Sequence, residues 1–163
     1  MKKVILICGP AGIGKSTLSK KYAAEHTDEK VYVIAADDCR CEICGAYNKF
    51  PKGGNMLPVY NLMVEKAKKI AEKENDVTVI FDTTSLTDQR RLFYVNKLKG
   101  IFDRFEIVMC RLHDYKKCLE RNAHRPKDRL VPEEVIISMI EHYDEPSEET
   151  LKYFDAKADI YLD

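Results

Sequence analysis

Short apolar runs alternate along the chain with longer stretches of helical spacing. Runs rich in Val, Ile and aromatic residues at 3–8, 31–35, 77–81, 105–110 and 159–162 read as strands. They are nearly continuous rather than alternating, as strands covered on both faces are. Helical spacing fills the gaps. One helix runs from a glycine-rich stretch through Leu18 and Tyr22 to about residue 26. A second, over 58–73, places Tyr60, Met63, Val64, Ala67 and Ala71 on one face. A third covers 88–99 and a fourth 115–124. A fifth begins at Pro132, a favourable first helical position, and buries Val135, Ile136, Met139, Ile140 and Tyr143. Gly45, Pro51, Gly53 and Gly54 make 44–57 a loop with freedom to move. Strands alternating with helices predict an α/β fold around a five-stranded parallel sheet, in one domain spanning 1–163.

Composition narrows this picture. Hydrophobic residues at 45% and charged residues at 33% are ordinary for a globular domain, and no apolar run approaches the length of a membrane span. The apolar stretch Val4 to Cys8 is too short for a signal peptide, so a cytoplasmic protein without a membrane partner is expected. Lys plus Arg and Asp plus Glu both number 27, so no global field draws nucleic acid. The charge is segregated, however. Seven basic residues (Arg111, Lys116, Lys117, Arg121, Arg125, Lys127, Arg129) face three acids between 111 and 129, and ten acids face Lys152 and Lys157 after 132. That pattern predicts a local anion site, not a duplex-binding surface.

The motif that carries chemistry is Gly9-Pro10-Ala11-Gly12-Ile13-Gly14-Lys15-Ser16-Thr17, a complete G-x-x-x-x-G-K-[ST] phosphate loop between a strand and a helix. Its glycines let successive N–H groups, from Gly9, Ala11, Gly12, Ile13 and Gly14 onward, point at a nucleotide's phosphates, and the helix N-terminus adds positive potential. Lys15 is expected on the β- and γ-phosphates of ATP, the Ser16 hydroxyl on Mg²⁺, and Thr17 on the adjacent phosphate.

Chemistry in open α/β sheets gathers at the carboxyl ends of the strands. The second strand leads into Asp37-Asp38 and the third into Asp82-Thr83-Thr84. Asp82 suits Mg²⁺, directly or through water. Asp37 suits a base that accepts the proton of an attacking hydroxyl, and Asp38 a helix cap. Arg121 and Arg125 lie four apart on the fourth helix, and Pro126 turns 125–129 into a basic loop able to close over a triphosphate.

With these residues assembled, the chain resembles the polynucleotide 5′-hydroxyl kinase branch of P-loop kinases, the kinase domain of its phage-type members in particular. GPAGIGKST, DDCR, IFDTTSLTDQRR and CLERNAHRPKDRLVPEEVIISM carry the resemblance. It implies a sheet in the order 2-3-1-4-5, ATP with Mg²⁺, an arginine-bearing lid at about 115–131, and transfer to the 5′-hydroxyl of a single-stranded DNA or RNA end. It places Asp37 as general base, Arg40 on the acceptor's phosphate, Asp82 with Thr83 at the strand-end site, and Arg125, with Arg121 a turn earlier, on the nucleotide; Lys15 and Arg125 join Asp37 in catalysis. Ala36 stands where phage-type members carry Arg, the stretch after Asp82 is one residue longer, and no phosphatase domain is expected. These departures leave open a small hydroxyl acceptor such as a nucleoside, sugar or antibiotic. A nucleotide-dependent switch or ATPase ranks behind both, because no residue pattern for guanine follows the fourth strand.

Six cysteines remain. Cys8 and Cys110 read as small buried hydrophobes and no disulfide is expected. Cys39, Cys41 and Cys44 lack the fourth ligand that zinc prefers, so a plain helix with incidental thiols is the favoured reading. A thiol beside Arg40 would have a lowered pKa and be sensitive to oxidation.

Overall fold

The computed structural model describes residues 1–163. Five strands, β1 (Lys2–Cys8), β2 (Val31–Ala35), β3 (Val77–Asp82), β4 (Arg104–Arg111) and β5 (Ala156–Tyr161), form one parallel sheet in the order β2-β3-β1-β4-β5. Parallel neighbours need crossovers, and these are supplied by α1 (Lys15–Glu25), α2 (Ala36–Cys44), α3 (Leu57–Lys73), α4 (Asp88–Leu98), α5 (Lys116–Ala123), α6 (Glu133–Glu141) and α7 (Glu148–Leu151). Ile7 and Ala35 both pair in register with Asp82, so β1, β2 and β3 end level with one another.

The alternation of side chains along a strand sorts β1 between two cores. Val4, Leu6 and Cys8 join Val59, Met63 and Ala67 of α3 and Tyr94, Val95 and Leu98 of α4 on one face. Ile5 and Ile7 join Ile13, Cys118 and Ile136 on the other. β3 is buried along its whole length, as its unbroken apolar run requires. β5 is an edge strand whose Lys157, Ala158 and Asp159 are exposed, and charge there discourages pairing with another chain.

The differences from the periodicity have local causes. β5 begins at Ala156, because polar Lys157 and Asp159 on an edge do not read as an apolar run. α2 starts directly after β2 without a turn, a junction that leaves no loop residues to announce it. Asp38 is therefore inside α2 rather than capping it; Ala35 occupies the cap and no side chain closes it. Pro132 precedes α6 as its cap residue instead of opening it, and Val135 is 40% exposed because Ile136, one residue on, takes the inward position.

Candidate active site

The nucleotide half of the site is made by backbone. Gly12 adopts a left-handed conformation (φ +84°), and a Cβ there would lie 2.5 Å from the carbonyl oxygen of Cys118. Gly14, also left-handed, caps α1. The amides of Gly12, Gly14, Lys15, Ser16 and Thr17 have no acceptor within the protein, so the loop presents a row of unpaired N–H groups at a helix N-terminus. The loop is anchored from outside: the Gly9 amide donates to Thr84 O at 2.9 Å, and Arg121 donates to Ile13 O at 2.8 Å and Leu162 O at 2.7 Å. Lys15, 8% exposed, donates to Gly9 O (2.8 Å) and Pro10 O (3.0 Å). Burial pushes its pKa below the ordinary lysine value and the nearby Arg125 adds to that, while Asp82 and Asp37 pull the other way. Asp82, Asp37 and Arg125 are thus near enough for their charges to act on Lys15.

Asp82 is buried at the end of β3 and accepts a hydrogen bond from the Ser16 hydroxyl at 2.7 Å. Two hard oxygens so close, beside a cradle for phosphates, are donors that suit Mg²⁺. Thr83, the next residue, is buried, with its side chain near the Tyr94 hydroxyl.

The second half lies on α2 and the segment after it. Asp37, in the first turn of α2, is exposed and ion-paired with Arg40 at 2.9 Å. Arg40 is fully engaged: its Nε donates to Lys49 O at 3.2 Å, its Nη2 to Tyr47 O at 2.6 Å, and its guanidinium stacks on Phe50 at 4.3 Å. It thus ties the base candidate to residues 45–56, an exposed flap of turns closed by Gly45 in a left-handed C-cap. Asp38 accepts from the Tyr47 hydroxyl (2.7 Å) and from Arg129 (3.4 Å), and Arg129 stacks on the Tyr47 ring at 3.7 Å. The loop that carries Arg129 and the flap therefore touch. Cys39 lies in the core, where burial raises its thiol to about 11, the opposite of an activated cysteine, and away from half-exposed Cys41 and Cys44.

Three structural contributors gave little signal in the sequence. Asn122, buried in α5, donates to Val131 O (2.7 Å) and accepts from the Val131 amide (3.0 Å), pinning together the two ends of the loop that carries Arg125. Arg91, fully buried, donates to Ser85 O, Leu86 O, Asp144 O and Asp88, holding the β3–α4 loop, where Ser85 takes an uncommon positive φ of 43°. The Tyr143 hydroxyl lies 3.0 Å from Cys8 O and 2.9 Å from Cys110 O, bridging β1 and β4 where the phosphate loop begins. An adjacent pair of arginines and a tyrosine at helical spacing, which the structure places just after α6, advertise surface charge and core, respectively; neither reveals a carbonyl partner dozens of residues away.

A strand-loop-helix phosphate cradle on a 2-3-1-4-5 parallel sheet defines a P-loop nucleoside triphosphatase fold. Residues 4–146 match the AAA domain family, and the chain belongs to it. No curated protein sequence matches the chain. Among solved structures, a gluconokinase from Sinorhizobium meliloti superposes with TM-score 0.66 at 15% identity, over 99% of this chain and 83% of its own. Kti12 from Chaetomium thermophilum, solved with ADP-AlF3, superposes with TM-score 0.66 at 14% identity, over 98% and 89%. A fungal RNA kinase superposes with TM-score 0.67 at 14% identity, over 99% of this chain and 38% of its own. At these identities the likeness is one of fold, and the fold is kinase-like.

Proposed function

We propose that the protein transfers the γ-phosphate of ATP to a hydroxyl group, and that the acceptor is the 5′-hydroxyl of a polynucleotide end. The observation that carries the transfer reading is the Asp37–Arg40 pair at the carboxyl end of β2, level with Asp82 at the end of β3, which holds the Ser16 hydroxyl of α1. Asp37 accepts the proton of the acceptor hydroxyl as its oxygen attacks the γ-phosphorus; the bond to the β–γ bridging oxygen breaks and ADP departs. Lys15 and the unpaired loop amides take the phosphate charge, and Arg125 on the lid adds to it. Ser16 and Asp82 are the residues that would hold Mg²⁺, which supplies charge neutralisation on the phosphates. Gly9, Ala11, Gly12, Ile13, Gly14, Thr17 and Arg121 shape the cradle, and Arg40 and Thr83 border the acceptor space.

The polynucleotide reading is favoured by the open flap, where Phe50 is 60% exposed and backed by a cation, a platform on which a base could stack. A small hydroxyl acceptor is the second reading; the gluconokinase-like fold and Ala36 beside the base, which leaves that corner without an added cation, favour it. The test supplies γ-labelled ATP and Mg²⁺ with a 5′-hydroxyl oligonucleotide beside a panel of nucleosides and sugars, using wild-type protein and Asp37→Ala in parallel. Label at the oligonucleotide 5′ end, absent with Asp37→Ala, is the expected result. Label confined to a sugar or nucleoside selects the second reading. ATP consumed equally by both proteins, with no labelled acceptor, overturns transfer altogether.

A further inference from the structure

Every arginine but two is committed to partners inside the protein. Arg40, Arg91, Arg104, Arg111, Arg121 and Arg129 each donate to carboxylates or carbonyls. Arg125 and Arg90 do not. Arg125 belongs to the lid, and Arg90 has no role in the chemistry described above.

Arg90 lies in the first turn of α4 and its guanidinium stacks on Tyr60 at 4.1 Å and stands 5.4 Å from the Phe93 ring. Its Nη1 is sealed from solvent and bonds nothing, while Nε and Nη2, equally without a partner, are not sealed. An arginine gripped by aromatic rings yet lacking any carboxylate has paid for order without receiving charge compensation. Its position gives that a meaning. α4 begins where β3 ends and α3 runs back to the start of β3, so Tyr60 and Arg90, in the first turns of these helices, stand on the carboxyl side of the sheet, as the phosphate loop does. Tyr60 packs edge-on against Tyr94 (6.3 Å), and the Tyr94 hydroxyl neighbours Thr83, next to Asp82. Arg90 is thus on the Asp37 and Thr83 side of the site, across the sheet from the core that holds Ile13, Cys118 and Ile136. Arg40, the other cation on that side, already has all three donor nitrogens occupied.

We propose that Arg90 determines acceptor specificity by binding an oxyanion carried by the acceptor itself, through its open Nε–Nη2 edge. Planar guanidinium groups take phosphate and carboxylate oxygens in pairs, so the shared chemistry covers an internucleotide phosphate and the acid group of a sugar acid alike. The inference rests on the phosphotransfer reading for its consequence, but not for its test.

Two matched pairs of acceptors separate the sources: thymidine 3′-phosphate against thymidine, and gluconate against glucose. Steady-state transfer from ATP is measured for wild type, Arg90→Gln and Arg90→Lys. For the anionic member that is a substrate, Arg90→Gln raises KM by about tenfold or more with kcat nearly unchanged, and leaves KM for ATP and the neutral partner in place. Arg90→Lys recovers part of the loss. Whichever pair shows the effect identifies the source of the oxyanion. Equal losses on both members of a pair, or an equal rise in KM for ATP, mean that Arg90 only packs on Tyr60 and overturn the proposal. If wild type transfers to none of the four, the function reading fails first. Equilibrium dialysis of the same four compounds with ADP present then decides: an anion preference that Arg90→Gln removes sustains the proposal, and no preference, or one that persists in the variant, overturns it.

Discussion

The two halves of the site are built from different materials. The donor half is a contiguous loop on the central strand, shaped by left-handed glycines and lined by amides without partners. The proposed acceptor half is a set of side chains drawn from α2, α3, α4 and an exposed flap, held by ion pairs and stacked cations. Backbone held by a buried sheet keeps one geometry whatever the surface residues are, whereas exposed ion pairs contribute little energy and rearrange readily. On the proposed reading, phosphate handling is thereby fixed, and acceptor choice rests on replaceable side chains.

The largest expected effects attack each half at its reacting groups. Asp37→Ala lowers kcat by about 10²- to 10⁴-fold, the usual worth of a general base, with the dissociation constant of ATP within about twofold of wild type. Lys15→Met lowers kcat by about 10²- to 10³-fold and weakens nucleotide binding as well, because its charge is made for the phosphates. Single-turnover kinetics with parallel nucleotide titrations separates the two. If Asp37→Ala also abolished ATP binding, the division into halves would fail.

Glycines test the same division more gently. Gly12→Ala combines a disfavoured backbone conformation with a Cβ driven against the Cys118 carbonyl, so nucleotide affinity and melting temperature fall together. Gly53→Ala, at φ +69° in the flap, meets nothing within 4 Å. Its cost is conformational, about 1 kcal/mol, and nucleotide affinity is unchanged. Thermal unfolding with and without ADP compares them; an equal response to ADP in both variants would break the contrast.

How much of this was legible in the sequence follows from the same contrast. The phosphate loop, β1, β2 and β3 were readable because each is specified by neighbours a few residues away: a strand's apolar run, then glycines at fixed spacing. Asp82 beside Ser16 followed from the strand end. α2 was expected only as a helix capped by Asp38 and carrying incidental thiols, without bounds, since its start abuts β2 and polar DDCRCE has no helical apolar stripe. Arg40 occupied by Asp37, Tyr47 and Lys49, Arg129 over Tyr47, Asn122 clipping Val131 and Arg91 under the β3–α4 loop are side-chain pairings that periodicity does not encode. Arg121 was expected on the nucleotide; its guanidinium grips the carbonyls of Ile13 and Leu162, supporting the cradle from behind.

The smallest effect concerns the tail that backs the donor half. Arg111, the last residue of β4, pairs with Glu145 and, at 2.8 Å, with Asp159 of β5, so the strand that leads to Leu162 is tied to the sheet by charge. Hydrogen bonds from Arg111 hold both carboxyls below their ordinary pKa values. Lowered carboxylate values mean that the unfolded chain binds protons first: the stabilisation is complete above the ordinary carboxylate range near ~4 and is lost as pH falls through the lowered values. Both carboxylates are exposed, 63% and 42%, so solvent screening limits the sum to less than about 1 kcal/mol. Glu145→Gln should therefore lower the urea midpoint slightly at pH 7, and the difference from wild type should shrink in acid, as pH falls through the lowered values. The Arg121 link to Leu162 O gives the tail a path to the phosphate loop, so ADP affinity is the second readout. A variant that lost stability equally at both pH values would show that Glu145 packs rather than pairs, and the donor half would then owe its rigidity to the sheet alone.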